Sequence, residues 1–543
     1  NPPLRKPQIC PIGADVRHRV MASSSAVRRT EELRYGNGTG RTVRATLTAD
    51  PAEVDLGGRV VSTWAYNGQA PGPILRCTAG DQLQLTLRNG LQEDTTIHWH
   101  GLRLRNDMDG VPHLTQDPVA PSALMRYTFV APDPGTYWFH PHVGLQRERG
   151  LIAPLIIDDP NEAGEYDSEF IVVLDDWLDG VSQGAEAMLA SLQELGAEGL
   201  YAIPVQAGQI ADQSGSWRYD ETHLVDGSRP CDPEVLSSSR SRPCLTQASQ
   251  TARSEESVIS LAGSVSYPFY LLNGRLPTAP QTFNAKPGQR VRIRVINASG
   301  ATVFRLALGG HRLTVTHSDG FPVRPVEVDN VLISSGERYD MTVTLDDGVF
   351  PLVAVAEGRL AQAMGVVRTG GGAVPPPDVA PRELAGRVLA LTDMEATPPV
   401  RLSAREPDVI HGVYLTGDMK EFAWRINAEA YNPHAPFDGI TPLEVRYGQR
   451  VRLALINQTP MYHPVHLHGH SFAIRSIAAN YGNGPPITNI KNGAIKDNLL
   501  VPPGQRIDVD FTADNPGQWL IHCHNAYHLP TGMATILSYV DAP

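Results

Sequence analysis

Hydrophobic and polar residues alternate in three stretches of the chain that are similar to one another. They cover residues 80–89, 288–297 and 448–457, and each begins with a turn glycine and ends with an asparagine. An alternation of period two places successive side chains on opposite faces of a strand, so each stretch predicts a strand with one buried face. The threefold return of one pattern indicates three copies of one structural unit.

Other patterns also repeat. A Pro-Gly turn leads into aromatic residues and histidines at 134–142 and again at 516–524, and residues 335–343 parallel residues 503–511. The 49 glycines and 45 prolines suit many short strands joined by turns. The sequence therefore predicts an all-β fold of three tandem modules, each a two-sheet sandwich or barrel with Greek-key connections.

The repeats also divide the chain. The middle module contains an insertion at about 180–258, for which we predict a short helix at 180–200 followed by a loop rich in Ser, Arg and Gln at 205–258. A Gly-rich and Pro-rich linker at 370–377 leads into the last module. The predicted segments are an N-terminal extension at 1–40 and modules at 41–160, 161–375 and 376–543.

Length and charge exclude some functions. With 543 residues the chain is too long for one core. Its 46 basic residues against 58 acidic ones give a net charge of −12, whereas phosphate contacts require a basic face, so we expect no nucleic-acid partner. No apolar run is long enough to cross a bilayer, so we expect no membrane span.

The cysteines bear on the cellular compartment. Cys231 and Cys244 are 13 residues apart in a polar stretch, and we favour a local disulfide between them. Cys10 and Cys77 form either a second bridge or two free thiols. A bridge implies an oxidising compartment. The chain begins without methionine, as a mature exported form would, so we expect a secreted, periplasmic or cell-surface protein.

Ten of the 18 histidines fall within four short stretches. Side chains at positions i and i+2 of a strand share a face, so each His-x-His pair presents two imidazoles together. A lone histidine is usually not a ligand, but eight clustered imidazoles favour a metal, and neutral imidazole suits copper, zinc, iron and nickel. The pairs are His98 with His100, His140 with His142, His466 with His468, and His522 with His524.

Cys523 lies between two of these histidines and must point to the opposite face of its strand. It therefore belongs to a second site, for which His463, His528 and Met533 are available. Two histidines, one cysteine and a weak axial methionine form a blue-copper electron-transfer set. A structural zinc site would need more thiolates or a C-x₂-C pattern, which the chain lacks.

On these motifs the sequence resembles the three-domain multicopper oxidases, and most closely the bacterial laccase-like members. The resemblance covers roughly residues 45–160 and 265–543. It implies three cupredoxin-like Greek-key β-barrel domains and four copper ions: one of type 1, one of type 2 and two of type 3. It also implies that a donor is oxidised at the type 1 copper and that dioxygen is reduced to water at a trinuclear cluster.

The resemblance assigns a role to every ligand position. In the family, substrate electrons arrive across the exposed edge of the histidine that is His528 here, and they pass through Cys523 to the cluster. The type 1 ligands correspond to His463, Cys523, His528 and axial Met533; the type 2 ligands to His98 and His466; and the type 3 ligands to His100, His140, His142, His468, His522 and His524.

Asp109 follows His100 by nine residues and matches the family's carboxylate near the dioxygen site. A carboxylate beside a charged metal cluster can relay protons if its pKa is suitable. The alternative interpretation is a turn aspartate before Gly110, and Asp107 is a second candidate for the relay.

The chain departs from the family at Leu529, where many bacterial relatives carry an acidic residue directly after the second type 1 histidine. Met533, in place of a non-coordinating residue, implies a low-to-medium potential. The middle module has no His-x-His pair, so we expect no copper of its own there. We interpret the remaining nearby residues as structural: His113, His311, His317, His470, Trp99 and Trp138.

The favoured function is a laccase that oxidises phenols and aromatic amines. A cuprous oxidase for copper tolerance would be expected to carry a methionine-rich segment, whereas this chain has 10 methionines and only Met188 between residues 178 and 265. A bilirubin-oxidase-like specificity stays open. A non-catalytic copper store would tolerate lost ligands, but all twelve are present, and the 522–524 pattern disfavours a copper nitrite reductase.

Overall fold

The structure is a computed structural model that describes residues 31, 38–162, 166–201, 263, 265–359, 361–478 and 487–541. Its strands form three consecutive groups, here called the first domain (42–158), the middle domain (168–368) and the last domain (409–539). Each domain consists of two packed sheets, which confirms the all-β prediction. The predicted boundaries at 41–160, 161–375 and 376–543 stay predictions.

The first domain has two four-stranded sheets, with strand orders β2-β1-β4-β6 and β3-β8-β7-β5. Short 3₁₀ helices lie at Asn106–Met108 and Gln146–Glu148. The strands are β1 (Thr42–Asp55), β2 (Val60–Tyr66), β3 (Leu75–Thr78), β4 (Gln82–Asn89), β5 (His98–His100), β6 (Leu124–Val130), β7 (Gly135–His140) and β8 (Ala153–Asp158).

The middle domain has a six-stranded sheet, β10-β9-β12-β17-β14-β15, and a five-stranded sheet, β11-β19-β18-β13-β16. Its elements are β9 (Ser168–Trp177), α1 (Ala185–Tyr201), β10 (Phe269–Leu272), β11 (Gln281–Asn284), β12 (Arg290–Asn297), β13 (Phe304–Leu308), β14 (Leu313–Ser318), β15 (Phe321–Val328), β16 (Val331–Ile333), β17 (Arg338–Thr344), β18 (Val349–Ala356) and β19 (Gln362–Arg368).

The last domain follows 3₁₀ turns at Arg382–Ala385, Leu391–Asp393 and Pro398–Val400. Its sheets are β21-β20-β23-β29-β25-β26, with β27 on β25, and β22-β31-β30-β24-β28. The strands are β20 (Val409–Asp418), β21 (Ala423–Ile426), β22 (Leu443–Val445), β23 (Arg450–Asn457), β24 (His463–Leu467), β25 (Phe472–Ala478), β26 (Thr488–Asn489), β27 (Ile495–Lys496), β28 (Asn498–Val501), β29 (Arg506–Thr512), β30 (Gln518–Cys523) and β31 (Ala534–Tyr539).

The three domains share one topology. In each, the opening strand pairs in parallel with the strand predicted from the alternating repeat: β1 with β4, β9 with β12, and β20 with β23. The opposite sheet of each domain also contains one parallel pair: β3 with β8, β11 with β19, and β22 with β31. Parallel neighbours cannot be joined by a hairpin, so the chain crosses between sheets in the same way three times.

Burial of the repeat strands differs between domains. In β4, Leu83, Leu85 and Leu87 face the core and the intervening residues are more exposed, as predicted. In β12 the alternate positions are also buried, because Arg292 and Arg294 form ion pairs with Asp340 there. The prediction of a single buried face is therefore wrong for β12, whose polar face packs inside the protein.

The predicted helix at 180–200 is present as α1, with a kink at Gly196, and its buried Leu192 joins the core. Cys77 is buried and has no disulfide partner among the described residues, and burial raises the pKa of its thiol to about 12. Cys10, Cys231, Cys244 and the loop at 205–258 lie outside the described residues. Within the described part of the chain, no helix is long and apolar enough to span a membrane.

Candidate metal centres

Strand pairing brings the histidine pairs of the first and last domains together. In the first domain β5 and β7 are antiparallel neighbours, with His98 opposite His140. In the last domain β24 and β30 are antiparallel neighbours, with His466 opposite His522. The two sheets face each other, so that His98 Nε2 lies 3.4 Å from His466 Nε2 across the domain interface.

The eight imidazoles form one cluster. Within it, His468 Nε2 lies 3.0 Å from His522 Nε2, and His142 has a ring nitrogen within 4.8 Å of theirs. The rings of His100 and His524 have centroids 4.7 Å apart. All eight predicted histidines are therefore brought together: His98, His100, His140, His142, His466, His468, His522 and His524.

Two properties of the cluster fit a bound metal: its imidazoles are mostly neutral, and several of their buried ring nitrogens have no hydrogen-bond partner. His100 Nδ1 and the Nε2 atoms of His140 and His142 are buried without a hydrogen-bond partner among the described residues. Unpaired buried polar groups are costly, and metal coordination removes that cost. Burial, as the largest cause, lowers the pKa of most of these imidazoles and keeps them neutral, the form that binds metals: His100, His140, His142, His466, His468, His522 and His524.

The second predicted site is a triangle of donors. His463 Nδ1 and His528 Nδ1 are 3.2 Å apart, and Cys523 Sγ lies 3.5 Å and 3.4 Å from them. Donors bonded to one metal at about 2.0 Å for nitrogen and about 2.3 Å for sulfur would be separated by roughly these distances. The fully buried Met533 lies beside the triangle, because its backbone bonds to Cys523 and His528. The donor set is the one preferred by blue copper.

Cys523 is a protonated thiol in the metal-free site, because burial raises its pKa to about 12. A bound metal ion would deprotonate it. Burial also lowers the pKa of His463 to about 3, so its imidazole is neutral. Cys523 points away from the cluster that contains its neighbours His522 and His524, as the strand alternation predicted.

Asp109 is fully buried against the cluster. Its Oδ2 lies 2.9 Å from His468 Nδ1 and its Oδ1 lies 3.3 Å from His98 Nδ1. The carboxylate thus contacts one histidine of the first domain and one of the last domain. Asp107 instead forms a partly buried ion pair with Arg105, whose Nε lies 2.7 Å from Asp107 Oδ1, so the geometry favours Asp109 over Asp107 for the relay.

His528 is fully buried in the described structure, so the expected exposed edge is absent. Trp424 of β21 covers it, with ring centroids 4.3 Å apart, and Phe422 contributes a second contact at 5.8 Å. The prediction failed because residues about 100 positions earlier in the chain form this cover, and no local pattern around His528 reveals them.

Three further residues belong to the site and were not predicted: Asp497 and Arg147 contact ligands, and Arg338 contacts Asp497. Asp497 Oδ1 lies 3.2 Å from His100 Nε2 and 3.4 Å from His466 Nδ1. Burial alone would raise the pKa of Asp497, but the guanidinium of Arg338 holds it well below its usual range. Arg147 donates to the backbone oxygen of His524 at 2.7 Å. None of the three lies at a recognisable spacing from a histidine motif.

Three of the residues interpreted as structural, His470, Trp99 and Trp138, lie next to ligand positions. His470 links the backbone oxygen of His468, at 3.1 Å, to the hydroxyl of Tyr539, at 2.6 Å. Trp99 and Trp138 are buried beside the ligands. A small cavity borders the cluster and is lined by His142, Arg147, His522, His524, Asn525 and Leu529 among others.

Comparison with known proteins agrees with this geometry. Sequence models described as multicopper oxidase match residues 48–162, 246–372 and 405–542. The multicopper oxidase MmcO of Mycobacterium tuberculosis is 42% identical over 92% of this chain and 88% of its own length. This chain belongs to the multicopper oxidase family. Its three domains are cupredoxin-like, and it is a copper-dependent oxidoreductase.

More distant relatives extend the comparison. Copper resistance protein A of Escherichia coli is 28% identical over 90% of this chain and 91% of its own length. Two solved structures share the fold. The multicopper oxidase of Pseudomonas thermotolerans has a TM-score of 0.62 at 24% identity and covers 92% of this chain and 99% of its own. Fet3p, described as functioning in iron import, has a TM-score of 0.71 at 21% identity, covering 92% and 90%.

Proposed function

We propose that this multicopper oxidase is of laccase type: it takes single electrons from small phenols or aromatic amines and reduces dioxygen to water. The supporting observation is the position of Cys523. Its sulfur belongs to the donor triangle with His463 and His528, while its chain neighbours His522 and His524 belong to the imidazole cluster. One strand therefore connects a single-metal site to a multi-metal site through covalent bonds.

The distances support a division into four copper sites. The triangle with Met533 would hold the type 1 ion, and His98 with His466 would hold the type 2 ion. His142, His468 and His522 form one compact group for a type 3 ion. The remaining three would hold the other type 3 ion: their ring centroids lie 4.7, 5.4 and 5.9 Å apart in the set His100, His140 and His524.

Bound copper would supply one-electron oxidation of the donor and four-electron reduction of dioxygen. The side chains of the protein exclude water, orient the ligands and carry protons. Trp138 and Trp99 exclude water beside the ligands. Asp109 orients His98 and His468, and we propose that its carboxylate also passes protons to the dioxygen site. Leu529 places an apolar side chain in the lining of the small cavity beside the cluster, at the position where many bacterial relatives carry an acidic residue.

A second candidate function is oxidation of cuprous ion, and the burial of His528 favours it. A phenol ring requires an open cleft beside this imidazole, whereas His528 is fully buried and Trp424 packs against its ring. A single metal ion needs less room than a phenol ring, and the chain carries a buried thioether, Met461, two residues before His463. The relatives named as copper resistance proteins point the same way.

Dioxygen uptake by the copper-loaded protein distinguishes the candidates. The donors would be 2,6-dimethoxyphenol and Cu(I), compared under one set of conditions, with Cys523→Ser as the control that removes the type 1 thiolate. Faster uptake with the phenol supports the laccase proposal, and faster uptake with Cu(I) supports the metal-ion proposal. Equal uptake by wild type and Cys523→Ser would contradict both proposals, because the electrons of neither donor would then pass through Cys523.

We also propose that the protein works in an oxidising compartment outside the cytoplasm, with a disulfide between Cys231 and Cys244. A thiol titration of the unfolded chain, without reductant and free of copper, tests this. Three free thiols are expected from the five cysteines if that bridge forms and Cys10 does not pair with Cys77. Five free thiols would contradict the proposal.

A further inference from the structure

Arg338 belongs to the middle domain, which supplies none of the twelve predicted ligands, yet it lies fully buried beside the imidazole cluster. It begins β17, directly after the turn at Gly336. Its guanidinium forms two parallel bonds with the carboxylate of Asp497, from Nη1 to Oδ1 at 2.8 Å and from Nη2 to Oδ2 at 2.7 Å. This bidentate geometry fixes both the position and the rotation of the carboxylate.

The remaining N–H groups of Arg338 also donate hydrogen bonds. Nε donates to the backbone oxygen of Thr136 in the first domain at 3.0 Å. Nη1 donates to the backbone oxygen of Gly336 at 3.1 Å, and Nη2 to that of Asp319 at 3.2 Å. With the two bonds to Asp497, all five N–H groups of the guanidinium have acceptors. The side chain therefore has one orientation, set by atoms of all three domains.

The carboxylate that Arg338 holds is in turn in contact with two ligands from different domains. Asp497 Oδ1 faces His100 of the first domain and His466 of the last domain, and its backbone oxygen lies 2.8 Å from His466 Nδ1. The glycine after His100 leaves space for the Arg338–Asp497 pair, because a Cβ on Gly101 would lie 2.3 Å from Arg338 Nη2 and 2.7 Å from Asp497 Oδ2.

We propose that Arg338 is a positioning residue through which the middle domain controls copper retention at the site of His98 and His466. This inference rests on the proposed copper sites. Groups that orient a metal's ligands without touching the metal typically change metal affinity by about 10- to 100-fold when removed. Loss of the guanidinium frees the Asp497 carboxylate to turn away from His100 and His466, and it removes the bonds that fix the backbone oxygen of Asp497 on His466 Nδ1. Retention of the type 2 ion should therefore fall by that factor, while the triangle at Cys523, which neither residue contacts, is unaffected.

Arg338→Met tests the proposal, with Arg294→Met as the matched control. Arg294 is equally buried in the same domain and pairs with Asp340 and Glu169, but it touches no predicted ligand. Copper-loaded wild type and both variants would be dialysed against a chelator. Copper per chain, the type 2 paramagnetic resonance signal and the blue absorption would then be measured. We expect Arg338→Met to lose the type 2 signal at a roughly 10- to 100-fold lower chelator concentration than wild type, with its blue absorption retained.

Equal chelator resistance of the type 2 signal in Arg338→Met and Arg294→Met would overturn the proposal and leave Arg338 a purely structural role. If Arg338→Met does not fold, Arg338→Lys and Asp497→Asn decide the question, since both keep side-chain volume but break the paired hydrogen bonds. The same selective loss is expected from both, and its absence from both would refute the proposal. A wild-type protein that binds no copper would instead refute the proposed function.

Discussion

Glu148 is a buried carboxylic acid held at the meeting point of the three domains, and its replacement by glutamine tests how this region ionises. Its Oε2 accepts hydrogen bonds of 2.9 Å from the hydroxyls of Tyr267 in the middle domain and Tyr527 in the last domain. Burial raises the pKa of Glu148 to about 8, with Asp176 adding to the rise and Arg147 opposing it.

The direction of the effect on stability follows from this pKa. The ordinary value is 4.5, so between pH 4.5 and about pH 8 the folded protein retains a proton on Glu148 that the unfolded chain has released. Its contribution to stability is fully present below pH 4.5 and is lost as the pH rises toward 8, by about 1.4 kcal/mol per pH unit. Between pH 5 and pH 7 the loss is about 3 kcal/mol. Glu148→Gln keeps an acceptor for both tyrosine hydroxyls but cannot ionise.

Chemical denaturation of copper-depleted protein measures the effect, because bound copper would add positive charge near Arg147 and change the ionisation. We expect the unfolding free energy of Glu148→Gln, relative to wild type, to rise by about 3 kcal/mol from pH 5 to pH 7. Glu186→Gln, at an exposed position of α1, controls for the loss of one negative charge. A difference between Glu148→Gln and wild type that stays constant with pH would refute the reasoning.

Two further substitutions probe the site directly. Asp109→Ala should keep the blue absorption but turn over dioxygen roughly 100-fold or more slowly, because proton transfer by a positioned side chain contributes at least that much to the rate. The control Asp107→Ala should keep its turnover. Full turnover in Asp109→Ala would exclude the relay. Gly469→Ala places a Cβ 2.2 Å from the ring of Trp519 and should lower stability by about 1–3 kcal/mol with loss of cluster copper. Gly439 has a similar positive φ but no atom within 4 Å of the position that a Cβ would take, so Gly439→Ala introduces backbone strain without a clash. Comparing the thermal unfolding and the copper content of the two variants therefore separates the effect of the clash from that of the strain.

Much of the fold follows from local patterns. The alternating repeats predict β4, β12 and β23, and the helical spacing predicts α1, because each signal lies within one element and needs no partner. The histidine pairs were equally local: i and i+2 on a strand share a face wherever that strand packs. The threefold repeat then brings the pairs of the first and last domains together by symmetry, which is why all eight cluster histidines could be predicted.

The residues that sequence analysis missed act across domain boundaries. Arg338 and Asp497 are 159 residues apart, and the cover over His528 comes from Trp424 on another strand. Glu148 meets its two tyrosines 119 and 379 residues away. No periodicity or spacing within a strand reports such contacts, because they depend on how the finished domains pack.

These interface contacts give the middle domain, which has no predicted ligands, a structural link to the predicted metal sites. His98 and His466 come from different domains, so a metal bound between them requires the domains to keep their relative position to within tenths of an ångström. Apolar packing is non-directional and does not define a separation so closely. Charge-assisted hydrogen bonds do, and the middle domain supplies them from two sides, through Arg338 to Asp497 and through Tyr267 to Glu148. On the proposed assignment of ligands, the middle domain therefore helps to set the geometry of sites whose ligands it does not provide.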